Sequence, residues 1–194
     1  MSGSRTEKME QTRAKLITAG RKAFAEKGFV QASMDDFTAE AGLTRGALYH
    51  NFGDKKGLLK AVIDQIDAEM LSRMAQASEQ AGAGWNGLIA EHIAYIEMAL
   101  EPQIQRIMLL DGPAVLGDPS QWPNQTACLR RAAAEIDALV AQGVVKPVDA
   151  EAAARLLNGA ALNAALWIAA SPEPQTVLLR ALEAFREMAK GFLR

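Results

Sequence analysis

Two helix starts in the run LTRGALYHNFGDKKG, residues 43–57, carry side chains suited to holding an anion. One follows Thr44 and the other follows Asp54. Each places basic residues, Arg45 or the pair Lys55 and Lys56, where the helix dipole is already positive. Each also has a glycine in its first turn, Gly46 and Gly57, although glycine costs a helix interior about 1 kcal/mol relative to alanine. In an isolated protein both choices are unfavourable. They become favourable when an anion docks there, because free amides, the dipole and the added cations converge on it, and the missing Cβ at Gly46 admits close approach. Nucleic-acid phosphates are such anions.

Residues for catalysis are sparse by comparison. The chain has two histidines, His50 and His92, and one cysteine, Cys128, with no nucleophile-base arrangement and no metal-ligand spacing. An enzyme is not expected, and neither a metal nor a cofactor. A single cysteine cannot form an internal disulfide, and MSGSRTEKMEQTR lacks the apolar run of a secretory signal, so a cytoplasmic location is expected. The most apolar stretch, Leu156 to Ala170, is 15 residues long, whereas a membrane span needs about 20, so it reads as a buried helix.

The elements that must position the anion site are helical throughout. The dominant period is 3.6, and the chain of 194 residues, 49% hydrophobic and 23% charged, reads as all-α. A first helix, roughly Gln11 to Lys27, stops at Gly28. Ser33 is suited to cap a short helix from Met34 to Ala41, which ends at Gly42, and Thr44 caps the next after a turn of about three residues. That pattern is a helix-turn-helix. The second helix of such a motif enters the major groove with its N-terminal residues near base edges, which makes Arg45 a candidate base or phosphate contact. Ser33 and Thr44 offer hydroxyls to phosphates, and Tyr49, His50 and Lys55 complete a polar rim. Asp54 opens a long helix, about Lys55 to Ala77 and on the order of 35 Å in length, that links head to body.

Charge divides in the same place. Residues 1–60 hold 11 Lys or Arg against 7 Asp or Glu, and the remainder holds 10 against 16, a basic head on an acidic body. The run from Gly28 to Val62, GFVQASMDDFTAEAGLTRGALYHNFGDKKGLLKAV, resembles the DNA-binding domain of the TetR family of bacterial transcriptional repressors. The shared features are the glycine-aromatic after the first helix, Ser33, the Ala-Gly turn, Thr44-Arg45-Gly46, L-Y-H-x-F and D-K-x-x-L-L, all in register over roughly residues 10–65. Ala32 stands where many members have threonine, and Phe37-Thr38 replaces the more usual Ile-Ala. The resemblance implies that Ser33, Thr44, Arg45, Tyr49, His50 and Lys55 occupy positions that members use on DNA. It also implies a three-helix head, residues 1–54, and a ligand-binding and dimerisation body of about six helices, residues 55–194.

In the body, GAGWNG, residues 82–87, reads as a loop or helix start. A helix broken by Pro102 follows, and then a short helix from Gln103 to Leu110. DGPAVLGDPSQWP is the strongest loop signal in the chain. Further helices are expected from Pro123 to Gln142, from Asp149 to near Ala170, and after Pro174. Trp85, His92, Met98, Met108 and Trp122 are candidates to line a pocket, with core packing as the competing role for each. Leu156 to Ala170 is apolar nearly all round and needs cover on every side. The last helix supplies one side and a twofold partner the other, with Leu156, Ala160, Ala164, Trp167, Leu178 and Phe185 at the interface. The expected whole is a homodimeric repressor that reads a palindromic operator on double-stranded DNA and is released by an apolar small-molecule effector through displacement of the long helix.

Overall fold

Gly28 divides the N-terminal helical stretch. In a computed structural model of the protein, which describes residues 3–194, α1 runs over Gly3–Gln31 but is interrupted at Gly28, where φ is 75° and ψ is 169°. A side chain is excluded there twice over. The backbone lies in the region that favours glycine, and a Cβ would fall 1.9 Å from the Arg106 guanidinium. Beyond the kink, Phe29 N donates to Asp111 Oδ2 at 2.7 Å, while Arg106 donates from Nε to the same oxygen and from Nη2 to Lys27 O.

The helix-turn-helix forms as its caps predict. Ser33 Oγ accepts from Asp36 N and Asp36 Oδ2 accepts from Ser33 N, a reciprocal capping box that opens α2 (Met34–Ala41). Gly42, in the left-handed region, ends α2. Thr44 Oγ1 accepts from Ala47 N at 3.2 Å to open α3 (Arg45–Phe52), and Asp54 Oδ1 accepts from Gly57 N at 2.7 Å to open α4 (Lys55–Ala81). These short helices close on Phe24, whose ring lies 5.8 Å from Phe29 and 5.1 Å from Phe37, together with Leu16, Leu48, Leu58 and Leu59, all fully buried.

After α5 (Trp85–Met98), residues Ile104–Asp111 form a π-helix that continues into α6 (Gly112–Leu116), and Pro119–Gln121 make a 3-10 turn. Much of DGPAVLGDPSQWP is therefore helical rather than loop. Pro113 is the second residue of α6, just past the π turn, and Gly117 closes the helix. GAGWNG has the letter spacing of a dinucleotide-binding loop, but it follows α4 rather than a strand and serves as an interhelical turn. The chain finishes with α7 (Pro123–Ala141), α8 (Ala150–Ala170), capped by Asp149, and α9 (Pro174–Lys190). The connection after α7 makes an isolated bridge from Val145 to Leu193. No helix among the described residues is long and apolar enough to cross a membrane.

The chain divides into two compact units. One comprises the chain up to Ile66 together with Arg106–Gly117, and the other comprises Asp67–Gln105 and Asp118–Arg194. In the second, α5, α7, α8 and α9 pack around Leu88, Ile96, Ile136, Leu157 and Ile168, all buried. The helix α4 is continuous through residue 66, so its first half belongs to one unit and its second half to the other.

Candidate nucleic-acid interface and effector cavity

The helix α3 is fixed at both ends and along one side. Thr44 caps its N-terminus, Leu48 is fully buried beneath it, and Arg13 donates to Asn51 O near its C-terminus while lying 4.6 Å over the Phe52 ring. A cation at that end also suits the helix dipole. The opposite side carries Arg45, Gly46, Tyr49 and His50, all exposed. Ser33 and Thr44 are exposed as well, and each accepts a backbone N–H through its oxygen, which leaves the hydroxyl proton as a donor. Arg45 makes a two-pronged pair with Asp35 on α2.

Lys55 is turned differently from the expectation. Its ammonium donates to Ala32 O at 2.9 Å and Val30 O at 3.4 Å and lies 4.4 Å from the centre of the Phe29 ring. It satisfies carbonyls at the end of α1. The exposed neighbour Lys56, in the same first turn of α4, is better placed to meet a phosphate.

The two first-turn glycines differ in the space around them. A Cβ at Gly57 would stand 2.0 Å from Phe52 O, so that glycine is required by the protein's own backbone. A Cβ at Gly46 meets nothing closer than Thr44 Oγ1 at 3.7 Å. Gly46→Ala is therefore expected to fold normally and melt slightly higher, by the fraction of about 1 kcal/mol that alanine gains in a helix, while losing DNA affinity. Gly57→Ala is expected to melt lower. Thermal melting beside a DNA titration checks both, and a Gly46→Ala protein with undiminished DNA affinity would remove the close-approach argument.

The second unit holds a cavity of about 180 Å³ among α4, α5, α7 and α8. Met70, Leu71, Met74, Leu129, Ala161 and Leu162 supply apolar walls. Polar groups enter in pairs. Glu91, its side chain 6% exposed, accepts from Arg131 Nη1 and Nη2 at 2.6 Å each, and Asp67 accepts from Asn124 Nδ2 at 2.8 Å. His92 donates from Nδ1 to Leu88 O at 2.8 Å, because a carbonyl can only accept. Its Nε2 lies 2.8 Å from Asn158 Oδ1, so the ring is an imidazolium or the carboxamide presents its NH2 instead. Either arrangement satisfies the buried ring, which also stacks on Phe185 at 5.8 Å. Burial, aided by Asp67, pushes the Tyr95 phenol up, and burial likewise raises the Cys128 thiol, which keeps both protonated. Among the described residues no cluster of His, Cys, Asp and Glu could hold a metal ion.

Burial, and then repulsion from Glu91, raises the Glu135 carboxyl above its ordinary value near 4.5. A raised folded-state value means that stability falls as pH rises through it. Glu135→Gln is thus expected to melt higher than the parent at pH 7, with the difference vanishing below about pH 4.5, where both states of the parent are protonated. A pH series of melting curves checks it.

Of the five residues expected to line a pocket, only His92 does so. Trp85 packs on Phe192, with ring centres 6.3 Å apart, and Met98 is core. Met108 is buried in the other unit. Trp122 is half-buried beside the cavity-forming elements, and its Nε1 is buried with no acceptor among the described residues. The polar residues Glu91, Arg131, Tyr95 and Asn158 were not foreseen, since charged positions on amphipathic helices ordinarily face solvent.

The expected interface residues also divide. Leu156 is 64% exposed and Trp167 45%, with Arg180 stacked 5.3 Å from the Trp167 ring. Ala160, Ala164 and Leu178 are half-buried. Phe185 is 4% exposed against His92, so it belongs to the core and is not available to a partner. Leu179, 71% exposed, and Met188, 43% exposed, are outward apolar residues of α9.

Residues 16–62 match the family model described as bacterial regulatory proteins of the tetR family. Residues 85–192 match the one described as tetracyclin repressor-like, C-terminal domain. The fold is similar to the crystal structure of a TetR-family transcriptional regulator from Pectobacterium atrosepticum, with a TM-score of 0.85 and 47% identity over 96% of each chain. The chain is 37% identical over 73 residues to the HTH-type transcriptional regulator TtgR of Pseudomonas putida, covering 38% of this chain and 34% of that protein, about a third of its length. It is 27% identical over 164 residues to the transposon Tn10 TetC protein of Escherichia coli, covering 79% of this chain and 78% of that protein.

Proposed function

The chain belongs to the TetR family of bacterial transcriptional regulators, and on that premise we propose that it is a homodimeric repressor which holds a palindromic operator and releases it when a small molecule fills the cavity of the second unit. The observation that carries the release step is the cavity wall itself. Asp67, Met70, Leu71 and Met74 belong to α4, the same uninterrupted helix that begins at Lys55, three residues after α3 ends at Phe52. An effector that pushes on the second half of α4 acts on a rod whose first half is joined directly to the reading helix. Operator binding by a dimer requires its two reading helices about 34 to 36 Å apart, so a modest displacement breaks simultaneous contact. A coupling of about 1 to 3 kcal/mol shifts affinity 5- to 150-fold.

The lining defines the effector by chemistry. Methionines and leucines accept an apolar body, while Tyr95, Arg131 and the His92–Asn158 pair meet a head group able both to donate and to accept hydrogen bonds. For the dimer, Leu156, Trp167 and Leu179 present exposed apolar surface on α8 and α9, which a second copy would cover in an isologous contact. On DNA, Arg45, Gly46, Tyr49 and His50 make the reading face, and Ser33, Thr44 and Lys56 contact phosphates.

Selection of bound duplexes from a random pool, with and without small aromatic alcohols and acids, tests the reading. Enrichment of an inverted repeat with half-sites one helical turn or a multiple apart, and its loss on adding a compound that also raises the melting temperature, is the expected result. An unenriched or non-palindromic pool counts against the dimeric repressor.

A further inference from the structure

Resting on the reading that α3 enters the major groove, we propose that Asp35 is a positioning residue: it orients Arg45 for end-on recognition of a guanine and so determines base specificity without touching DNA. The atoms of the pair carry the argument. Arg45 donates from Nε to Asp35 Oδ1 at 2.7 Å and from Nη2 to Asp35 Oδ2 at 2.5 Å. The carboxylate therefore occupies the side edge of the guanidinium. One hydrogen of Nη1 and the second hydrogen of Nη2 form the terminal edge, away from the carboxylate, while the other Nη1 hydrogen points back beside Cδ. That terminal pair is the edge that matches O6 and N7 of guanine, the commonest specific contact in the major groove.

Asp35 suits the N-terminal end of α2, but near DNA its charge has a cost that the pair helps explain. An exposed negative charge beside a DNA-facing helix opposes the polyanion and lowers affinity for every sequence alike. The other carboxylates of α2 have partners on α1: Asp36 pairs with Lys27 and Glu40 with Lys22. Asp35 instead reaches across the turn to the first residue of the reading helix. With side chains 68% and 63% exposed, Asp35 and Arg45 are not held by packing, so the fork itself sets the guanidinium. Arg45 in turn holds the Asp35 carboxyl below the ordinary carboxylate range, so the pair stays ionised at neutral pH. A long side chain ordered before encounter loses less freedom on binding, and it presents one edge in one direction, which suits guanine over other bases.

The test uses the full-length protein and duplexes selected from a random pool, with melting curves to verify folding of each variant. The parent is expected to require guanine at one position in each half-site. Asp35→Asn is expected to lose that preference by about 5- to 150-fold while its affinity for unrelated duplex holds or rises, and Asp35→Glu, which keeps the charge, is expected to restore part of it. An Asp35→Asn protein that keeps the guanine preference, whether its overall affinity rises or not, overturns the proposal, because the carboxylate would then only compete with DNA for Arg45. So does loss of preference at a neighbouring position alone, which would mean that Asp35 reads a base itself. An Arg45→Ala protein that selects the parental sequence overturns the groove reading on which the proposal stands, and that outcome is distinct from the other two.

Discussion

Replacement of Arg45 by alanine is expected to abolish operator recognition while leaving the protein folded and dimeric. Arg45 is exposed at the first position of α3 and its hydrogen-bond partner is Asp35, itself exposed, so little stability depends on it. The effect on DNA is large for two reasons. A bidentate arginine contact discriminates about 5- to 150-fold, and a palindromic site is read by two copies, so the losses multiply to roughly 25-fold at the least and about 2 × 10⁴-fold at the most. A titration at fixed salt, with unrelated duplex as competitor, measures it. The salt series separates the alternatives, because loss of a phosphate contact weakens all sequences equally and flattens the salt dependence by about one ion per subunit, whereas loss of a base contact erases preference. Operator affinity equal to the parent's would sink the assignment of α3. Lys55→Ala gives the contrast: its ammonium closes the end of α1, so it is expected to lower the melting temperature more than DNA affinity.

Arg131→Leu is the second large effect, and it falls on stability. Glu91 is almost wholly buried and both of its oxygens accept from Arg131, so removing the guanidinium strands a carboxylate away from water. Breaking a fully buried pair this way costs about 3 to 5 kcal/mol, and because Arg131 is itself half exposed the loss here is put at about 2 to 3 kcal/mol. In a chain of this length that lowers the melting temperature by roughly 4 to 12 °C. Replacing both residues by leucine is expected to recover most of the loss, since an apolar pair leaves no charge stranded. The recovered double variant is also informative for function, because it removes the main charged feature of the cavity wall. An Arg131→Leu protein melting within a degree of the parent would show that water reaches Glu91.

Local chemistry was legible along the chain, and assembled chemistry was not. Ser33, Thr44, Asp54 and Asp149 all cap as their sequence positions predict, because a cap acts on amides two or three residues away. Gly28 breaks α1 for an equally local reason and for one that was invisible, the approach of Arg106 from 78 residues away. The cavity shows the limit. Its walls come from residues 67 to 162 on four helices and the 3-10 turn, and which side of each helix faces inward depends on how the others are rotated against it. Selection by side-chain type found His92 but also Trp85, Met98 and Met108, whose sulfur and rings pack elsewhere. On α9 the expected interface position Phe185 is taken up by the core with Val177 and Leu182, and the outward apolar surface falls at Leu179.

The amino-acid order by itself determined the all-helical class and the helix-turn-helix with its caps, because helix periods, caps and turns are encoded within a few neighbouring positions. Only the tertiary structure decided that Arg106–Gly117 joins the first unit, that Lys55 faces inward and Gly57 guards a backbone approach, and that Glu91 and Arg131 meet within a cavity wall. It also decided that Asp35 and Arg45 share one fork. These depend on which segments distant in the chain come within a few ångströms, and the hydrophobic burial that brings them together is non-directional, so no spacing along the sequence records the result.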